Sequence, residues 1–231
     1  MAHIKQLTGT ITSVRDLSPT AREYTITPSE PLPFTAGAFV NLFVENEGKI
    51  IRRAFSMSSN DKNSNTFTLS IRLSRDGELT PILWNKDFTG ETVRLMGPLG
   101  LNTADKMHSR KVFLFGFGVG AGVVKSLAEH MRHRSDIESI TIMTGNRNIE
   151  EILHKDYFDQ IADKKVAVTY VVSDKNQNKY PTGYIQEHIA GFDFSNTDVY
   201  MCGQSTACNT LESAIKTTDP KNCNFFVEDF H

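Results

Sequence analysis

The hydrophobic period of this chain changes once, between residues 103 and 110, and that change restricts it to a two-part architecture. From residue 4 to about 103, apolar side chains recur in short runs broken by turn signals: ITSVRDL, AREYTITP, GAFVNLFVENEG, NTFTLSIRLS and ETVRLMGPLG. Short alternating runs bounded by Gly, Pro and Asn predict an antiparallel sheet closed into a small barrel. Pro28, Pro31 and Pro33 crowd one connection and Gly48 marks another. The polar stretch 60–65 reads as a flexible loop, and LTPILW after Gly77 has the spacing of one short helix.

Beyond residue 110 the apolar runs become continuous, at 111–116, 138–144, 166–172, 198–202 and 223–227. Helical periodicity separates them over 121–134, 149–163, 184–190 and 205–217. Strands alternating with helices predict an α/β domain with a five-stranded parallel sheet covered on both faces. The expected division is therefore 1–105 for the antiparallel β-barrel domain and 110–231 for the α/β domain.

Composition narrows the function classes. The 231 residues include 25 basic and 27 acidic side chains, a net charge of −2, and are 39% hydrophobic. Such a chain can bury a core, and it lacks the cationic excess of a general nucleic-acid binder. The longest apolar run, 112–124, is shorter than the roughly 20 residues that span a bilayer, so no membrane insertion is expected. The opening MAHIKQLTGTITSV lacks the apolar core of a signal peptide. Three cysteines, Cys202, Cys208 and Cys223, cannot all pair with one another, which fits a reducing, cytoplasmic setting.

The chemistry concentrates where the first strand of the second half, KVFLFG, enters Gly116, Gly118, Gly120 and Gly122 ahead of the helix AGVVKSLAEHM. Ligands of doubly wound sheets bind beyond the strands' carboxyl ends. Glycines let backbone N–H groups approach a phosphate, and the helix start attracts negative charge. A dinucleotide pyrophosphate is the expected ligand; a flexible strand-to-helix connection is the plainer alternative. Arg147, after the second strand, stands where an adenosine ribose or its 2′-phosphate would sit, with Glu150 and Glu151 opposing a phosphate there. His130 and His133, one turn apart, read as a cationic helix end facing solvent rather than as metal ligands, and no metal site is expected. Too few cysteines are present for an iron–sulfur centre, which normally needs four thiolates.

Four blocks in order, RAFS at 53–56, GELT at 77–80, the glycine turn at 116–122 and YMCGQ at 200–204, resemble the ferredoxin/flavodoxin–NADP reductase family. The resemblance covers nearly the whole chain. It implies that the barrel holds FAD and that the sheet domain holds NADPH or NADH. Carried over by position, Arg53 would pair with the FAD pyrophosphate, Ala54 would line the flavin site, Phe55 would stack on the isoalloxazine and Ser56 would hydrogen-bond N5. Gly77, Glu78, Leu79 and Thr80 would hold the pyrophosphate from a short helix start. Gly118 and Gly120 would cradle NAD(P)H, Cys202 and Gly203 would lie beside the nicotinamide, Glu228 would sit nearby, and Phe230 would cover the flavin. Ser56, Cys202 and Glu228 are the expected catalytic set. Phe55 replaces a usual tyrosine, Val123 a usual proline, and Gln204 another.

The implied activity is hydride transfer from NAD(P)H to FAD, followed by electron delivery to a one-electron carrier protein such as ferredoxin or flavodoxin. A flavin or ferric reductase with a small-molecule acceptor, and a non-catalytic flavin-binding redox-sensing subunit, are the competing readings.

Overall fold

The computed structural model describes residues 3–175 and 179–230. The first half forms one antiparallel sheet from β1 (Lys5–Ser18), β2 (Ala21–Pro28), β3 (Phe39–Asn46), β4 (Lys49–Ser56), β5 (Phe67–Arg72) and β6 (Thr92–Leu99), with α1 (Leu79–Asn85) after β5. The strand order is β4-β3-β6-β1-β2-β5, and an isolated bridge between Met57 and Leu69 joins the outer edges into a barrel. The alternation seen in sequence is what closes it. Along β5, Phe67, Leu69 and Ile71 enter a core with Ile11, Tyr24, Ile26, Leu42 and Leu95. Thr68, Ser70 and Arg72 then necessarily point outward, because successive strand residues face opposite sides.

The second half is a parallel sheet in the order β11-β10-β7-β8-β9. It consists of β7 (Lys111–Phe117), β8 (Ser139–Asn146), β9 (Val166–Val172), β10 (Thr197–Gln204) and β11 (Cys223–Phe230), with helices α2 (Gly120–Arg132), α3 (Lys155–Ile161) and α4 (Ser205–Lys216). Each central strand feeds two cores, as expected for strands buried on both faces. Val112, Leu114, Tyr200 and Cys202 pack toward α2 and α3, while Phe113, Phe115, Val199 and Met201 pack toward α4. Chain order runs outward from β7 in both directions, so the switch point lies between the ends of β7 and β10.

Two expected helices are shorter than their periodicity. Over 149–163 only a 3₁₀ turn at Ile149–Glu151 and α3 form, because His154 takes a left-handed backbone (φ 54°) between them. Over 184–190 only the 3₁₀ turn Ile185–Glu187 forms. The linker is fastened to the sheet: the buried Asp198 carboxylate accepts from the backbone N–H groups of His108 (2.6 Å) and Ser109 (2.7 Å), from Ser109 Oγ and from Asn224 Nδ2. Among the described residues no helix is long and apolar enough to cross a membrane.

Polar pairs hold the two halves together. The carboxylate of Glu151, 8% exposed, accepts from Ser18 Oγ (2.8 Å), Thr20 Oγ1 (2.8 Å) and Arg72 Nη2 (3.2 Å), all from the barrel. Glu151 therefore faces the barrel and not a nucleotide's adenosine end, which corrects the expectation that it opposes a phosphate. His130 is likewise not a free cationic helix end: its Nδ1 lies 2.7 Å from Asp61 Oδ2, whose carboxylate also accepts from the Ala36 N–H. That pairing fastens the 60–65 stretch, expected to be a flexible loop, to the second domain. Two Asx-type turns, built on Asn60 and Asn63, and the Asn63–Thr66 bond add local order.

Candidate functional site

A groove of about 1170 Å³ opens between the barrel and the carboxyl ends of the parallel strands. The barrel contributes Arg53, Ala54, Phe55 and Ser56 from the end of β4, and Gly77, Glu78, Leu79 and Thr80 at the start of α1. From the sheet domain come Phe117, Gly118, Arg147 and Phe230. Eleven of the residues singled out in sequence thus share one wall or the other, although they are far apart along the chain. Gly120, Cys202, Gly203 and Glu228 are not on that surface.

The barrel wall carries positive charge in a partly paired state. Arg53 Nη2 donates to Glu78 Oε2 at 2.8 Å, and Lys49 Nζ lies 2.5 Å from the other oxygen of the same carboxylate. Those two cations hold the Glu78 carboxyl below the usual range. Phe55 is half-buried against the barrel core and keeps one face to the groove. The Leu79 side chain points inward, 1% exposed, so only its backbone can serve the groove. Thr80 Oγ1 is committed to Ser74, accepting from its N–H at 2.9 Å and donating to its carbonyl at 3.0 Å. The hydroxyl thus fixes the turn before α1, and the first N–H groups of that helix have no intrahelical acceptor.

On the opposite wall, Gly118 has φ +56°, a left-handed backbone that costs glycine little. A Cβ there would sit 3.2 Å from the Arg72 guanidinium. Gly120 works differently: an added Cβ would lie 2.6 Å from the carbonyl carbon of Cys202 and closer still to its oxygen. Its lack of a side chain lets α2 dock on the end of β10, so it shapes the turn through packing and not by facing a ligand. Gly203 is similar, since a Cβ would lie 2.6 Å from that of Phe117.

Cys202 is fully buried, and burial pushes its thiol well above its ordinary value. It is a neutral S–H beneath the groove floor, not a nucleophile. Register pairs Cys202 with Gly116 on one side and Glu228 on the other. Glu228 reaches across to the barrel, where Ser56 Oγ donates to Oε1, and Tyr200 Oη donates to Oε2 at 2.8 Å. Burial raises the Glu228 carboxyl, and the two donors offset part of that rise. Ser56 is therefore joined to Glu228 through a hydrogen bond between the domains.

Sequence reasoning missed Arg72 and Tyr200. Arg72 lines the groove beside the glycine turn, and its Nε is buried without a hydrogen-bond partner. A buried donor left unmade is costly, which points to an acceptor arriving there. The available signal was the alternation of β5, which turns Ser70 and Arg72 out of the barrel core. Tyr200 opens the YMCGQ block, but nothing in that block assigns its hydroxyl a role, because the carboxylate it meets lies 28 positions away.

The residues suit two phosphate-bearing groups. Arg53, the start of α1 and the flat face of Phe55 fit a flavin dinucleotide on the barrel wall. Gly118, Arg72 and the start of α2 fit a second dinucleotide on the other wall.

Comparison with known proteins agrees with this division. Residues 8–103 match the family profile of the oxidoreductase FAD-binding domain, and residues 114–212 that of the oxidoreductase NAD-binding domain. The reductase component of phenol 2-monooxygenase from Pseudomonas sp. (strain CF600) is 28% identical over 237 residues, covering 99% of this chain and 66% of the relative. The chain thus spans about two thirds of that relative's length. The Amycolatopsis cytochrome P450 reductase GcoB superposes with a TM-score of 0.88 at 23% identity, over 100% of this chain and 71% of that one. A ferredoxin NADP+ reductase from Neisseria gonorrhoeae, solved with bound FAD and NADP, superposes at 0.84 with 16% identity, covering 99% of both chains.

Proposed function

Because the chain belongs to the ferredoxin–NADP reductase-like oxidoreductases with FAD- and NAD-binding domains, we propose that it passes reducing equivalents from NADH or NADPH, through FAD, to a separate one-electron carrier protein. FAD, when bound, supplies a two-electron acceptor able to release electrons singly. The observation that carries the reading is the shared groove: the 53–56 block of one domain and the Gly118 turn of the other face the same space.

In this reading Arg53 and the first N–H groups of α1 hold the flavin pyrophosphate, with Ala54 beside it. Phe55 packs on the ring system, and Phe230 shields it from water. Ser56, which lines the groove and donates to Glu228, would present its hydroxyl to the reactive edge of the flavin and exchange a proton with that carboxyl. Gly118 and Arg72 receive the pyrophosphate of the nicotinamide nucleotide. Arg147, exposed on the groove, meets the adenosine end; with Glu151 turned to the barrel, Glu150 is the acid left beside it. Cys202 and Gly203 leave a thin, uncharged floor under the nicotinamide.

A charge difference supports a carrier that docks on the barrel side. Residues 1–110 hold 13 basic and 11 acidic side chains, whereas residues 111–231 hold 12 and 16. An acidic carrier is steered to the more positive half, mainly through its association rate. The reading predicts that the FAD-loaded protein reduces cytochrome c slowly with NAD(P)H and much faster once a ferredoxin or flavodoxin is added. Rapid turnover on free flavin or ferric chelates, with no stimulation by any such carrier, would move the assignment to a small-molecule reductase.

A further inference from the structure

Among the described residues Glu228 is the carboxyl group hydrogen-bonded to Ser56, and how it is held determines what it can do. It sits on β11 beside Cys202 of β10, and its two oxygens are differently engaged: Oε1 toward Ser56 at the end of β4, Oε2 toward Tyr200 on β10. Tyr200 is 0% exposed, and its hydroxyl has Glu228 as its acceptor. Burial and the neighbouring carboxylate push the phenol well above its ordinary value, so it stays protonated and donates to the Glu228 carboxylate. The other titratable groups around this pair are Cys202 on β10, Cys208 on α4 and Asp229, the next residue along β11. Among the described residues no lysine, arginine or histidine forms an ion pair with Glu228.

We propose that Tyr200 is a positioning residue for this site: by occupying Oε2, it leaves Oε1, the oxygen facing Ser56, as the place where Glu228 carries a proton. Both oxygens accept in the structure, Oε1 from Ser56 Oγ and Oε2 from Tyr200 Oη, but Ser56 lines the groove and its hydroxyl can turn toward it, whereas the fully buried phenol has Glu228 as its acceptor. With Oε2 taken by the phenol, a proton gained by Glu228 lies on the line to Ser56. When Ser56 Oγ receives a proton from the groove, its own hydroxyl proton passes to Glu228 Oε1. As the new O–H bond forms at Ser56 Oγ, its original O–H bond breaks and that proton forms the O–H bond at Glu228 Oε1; the acid in the groove that gave the first proton is left as its conjugate base, and no electrons move. Tyr200 also stabilises the carboxylate, the form that accepts. The use made of this proton rests on the proposed flavin chemistry, but the arrangement of donors does not.

The test is a pH titration of the full chain by infrared difference spectroscopy, in the carboxyl-stretch region, with and without added FAD. The Glu228→Gln variant identifies the Glu228 band by its disappearance. In Tyr200→Phe, which keeps the ring, the midpoint of that band rises about tenfold in proton affinity or more, one pH unit, because a buried carboxylate has lost one of its two donors. Biosynthetic replacement of tyrosine by 3-fluorotyrosine, a stronger donor of nearly the same shape, moves the midpoint the opposite way and serves if Tyr200→Phe does not fold. In FAD-loaded protein the pH profile of flavin reduction shifts with the band, and Tyr200→Phe has no further effect in a Glu228→Gln background. An unchanged midpoint in either tyrosine replacement overturns the proposal. Failure of FAD to bind, visible as missing flavin absorbance, overturns instead the flavin reading and leaves the carboxyl titration to be judged separately.

Discussion

Replacing Gly120 by alanine separates the two walls of the groove. The new Cβ would lie 2.6 Å from the Cys202 carbonyl carbon and nearer to the oxygen, against an ordinary optimum of about 3.5–4.0 Å between carbon atoms. The obstacle is backbone at the end of β10, which cannot rotate aside, so α2 must retreat by about 1 Å. Overpacking of this kind costs about 1–3 kcal/mol, which for a chain of this size lowers Tm by about 2–4 °C per kcal/mol. The same displacement shifts Gly118 and the helix start relative to Arg72 and Ser70 on the barrel, which α2 meets on its other side. A misplacement of about 1 Å costs on the order of a hundredfold in a step that depends on alignment. Arg53 and Phe55 are on the barrel and are untouched. Fluorescence titration should give near wild-type FAD affinity, and anaerobic stopped-flow reduction by NAD(P)H should be about a hundredfold slower. A folded variant reduced at the wild-type rate would refute the argument that Gly120 sets the approach of α2 to β10.

Arg53→Ala should weaken FAD by about 10- to 150-fold, since a hydrogen bond to a charged group is worth about 1.5–3 kcal/mol; Glu78→Gln should act in the opposite direction by releasing the same guanidinium, and equilibrium titration of both variants checks the pair of signs. His154 is buried at the domain junction with Nε2 2.9 Å from Ser70 Oγ, and burial, together with nearby Lys125, brings its pKa from 6.5 down to about 3. The unfolded chain therefore binds a proton that the native protein refuses, and stability falls by about 1.4 kcal/mol per pH unit as pH drops below 6.5. Urea denaturation from pH 7 to pH 5 should show that slope, and His154→Asn, suited to the left-handed backbone, should flatten it; an equal slope in both proteins counts against a neutral buried imidazole. Carrier-dependent electron transfer should slow as salt rises, and a rate indifferent to ionic strength would remove the steering argument.

The parts of this molecule that were legible in its sequence are those governed by local period. The strands of the parallel sheet announce themselves as continuous β-branched and aromatic runs, and the barrel strands as alternation, because burial of the central strands on two faces, and of the barrel strands on one, imposes those patterns directly. The helical period over 149–163 misled because Ile149, Ile152 and Leu153 are apolar for packing beneath α3, while His154 breaks the helix between them. Around 184–190, Thr182 bridges to Val172 and Gly183 N–H donates to the Val172 carbonyl, so the chain follows the end of β9 and Ile185 serves only as an apolar anchor. Site residues in ordered blocks were found from the resemblance those blocks carry. Arg72 with Glu151, His130 with Asp61, and Tyr200 with Glu228 escaped notice for one reason. Each pair is made by side chains 28 to 79 positions apart, and no local spacing encodes such a contact.

The central claim is that one groove aligns a flavin on the barrel with a nicotinamide nucleotide on the sheet. Its most direct test is a single-turnover experiment in the absence of oxygen and of any acceptor. The protein is loaded with FAD, freed of excess flavin and mixed with one equivalent of NADH or NADPH while the visible flavin absorbance is followed. The account predicts that the flavin stays with the protein and is bleached stoichiometrically by at least one of the two nucleotides. Bound flavin that remains oxidised with both would contradict it.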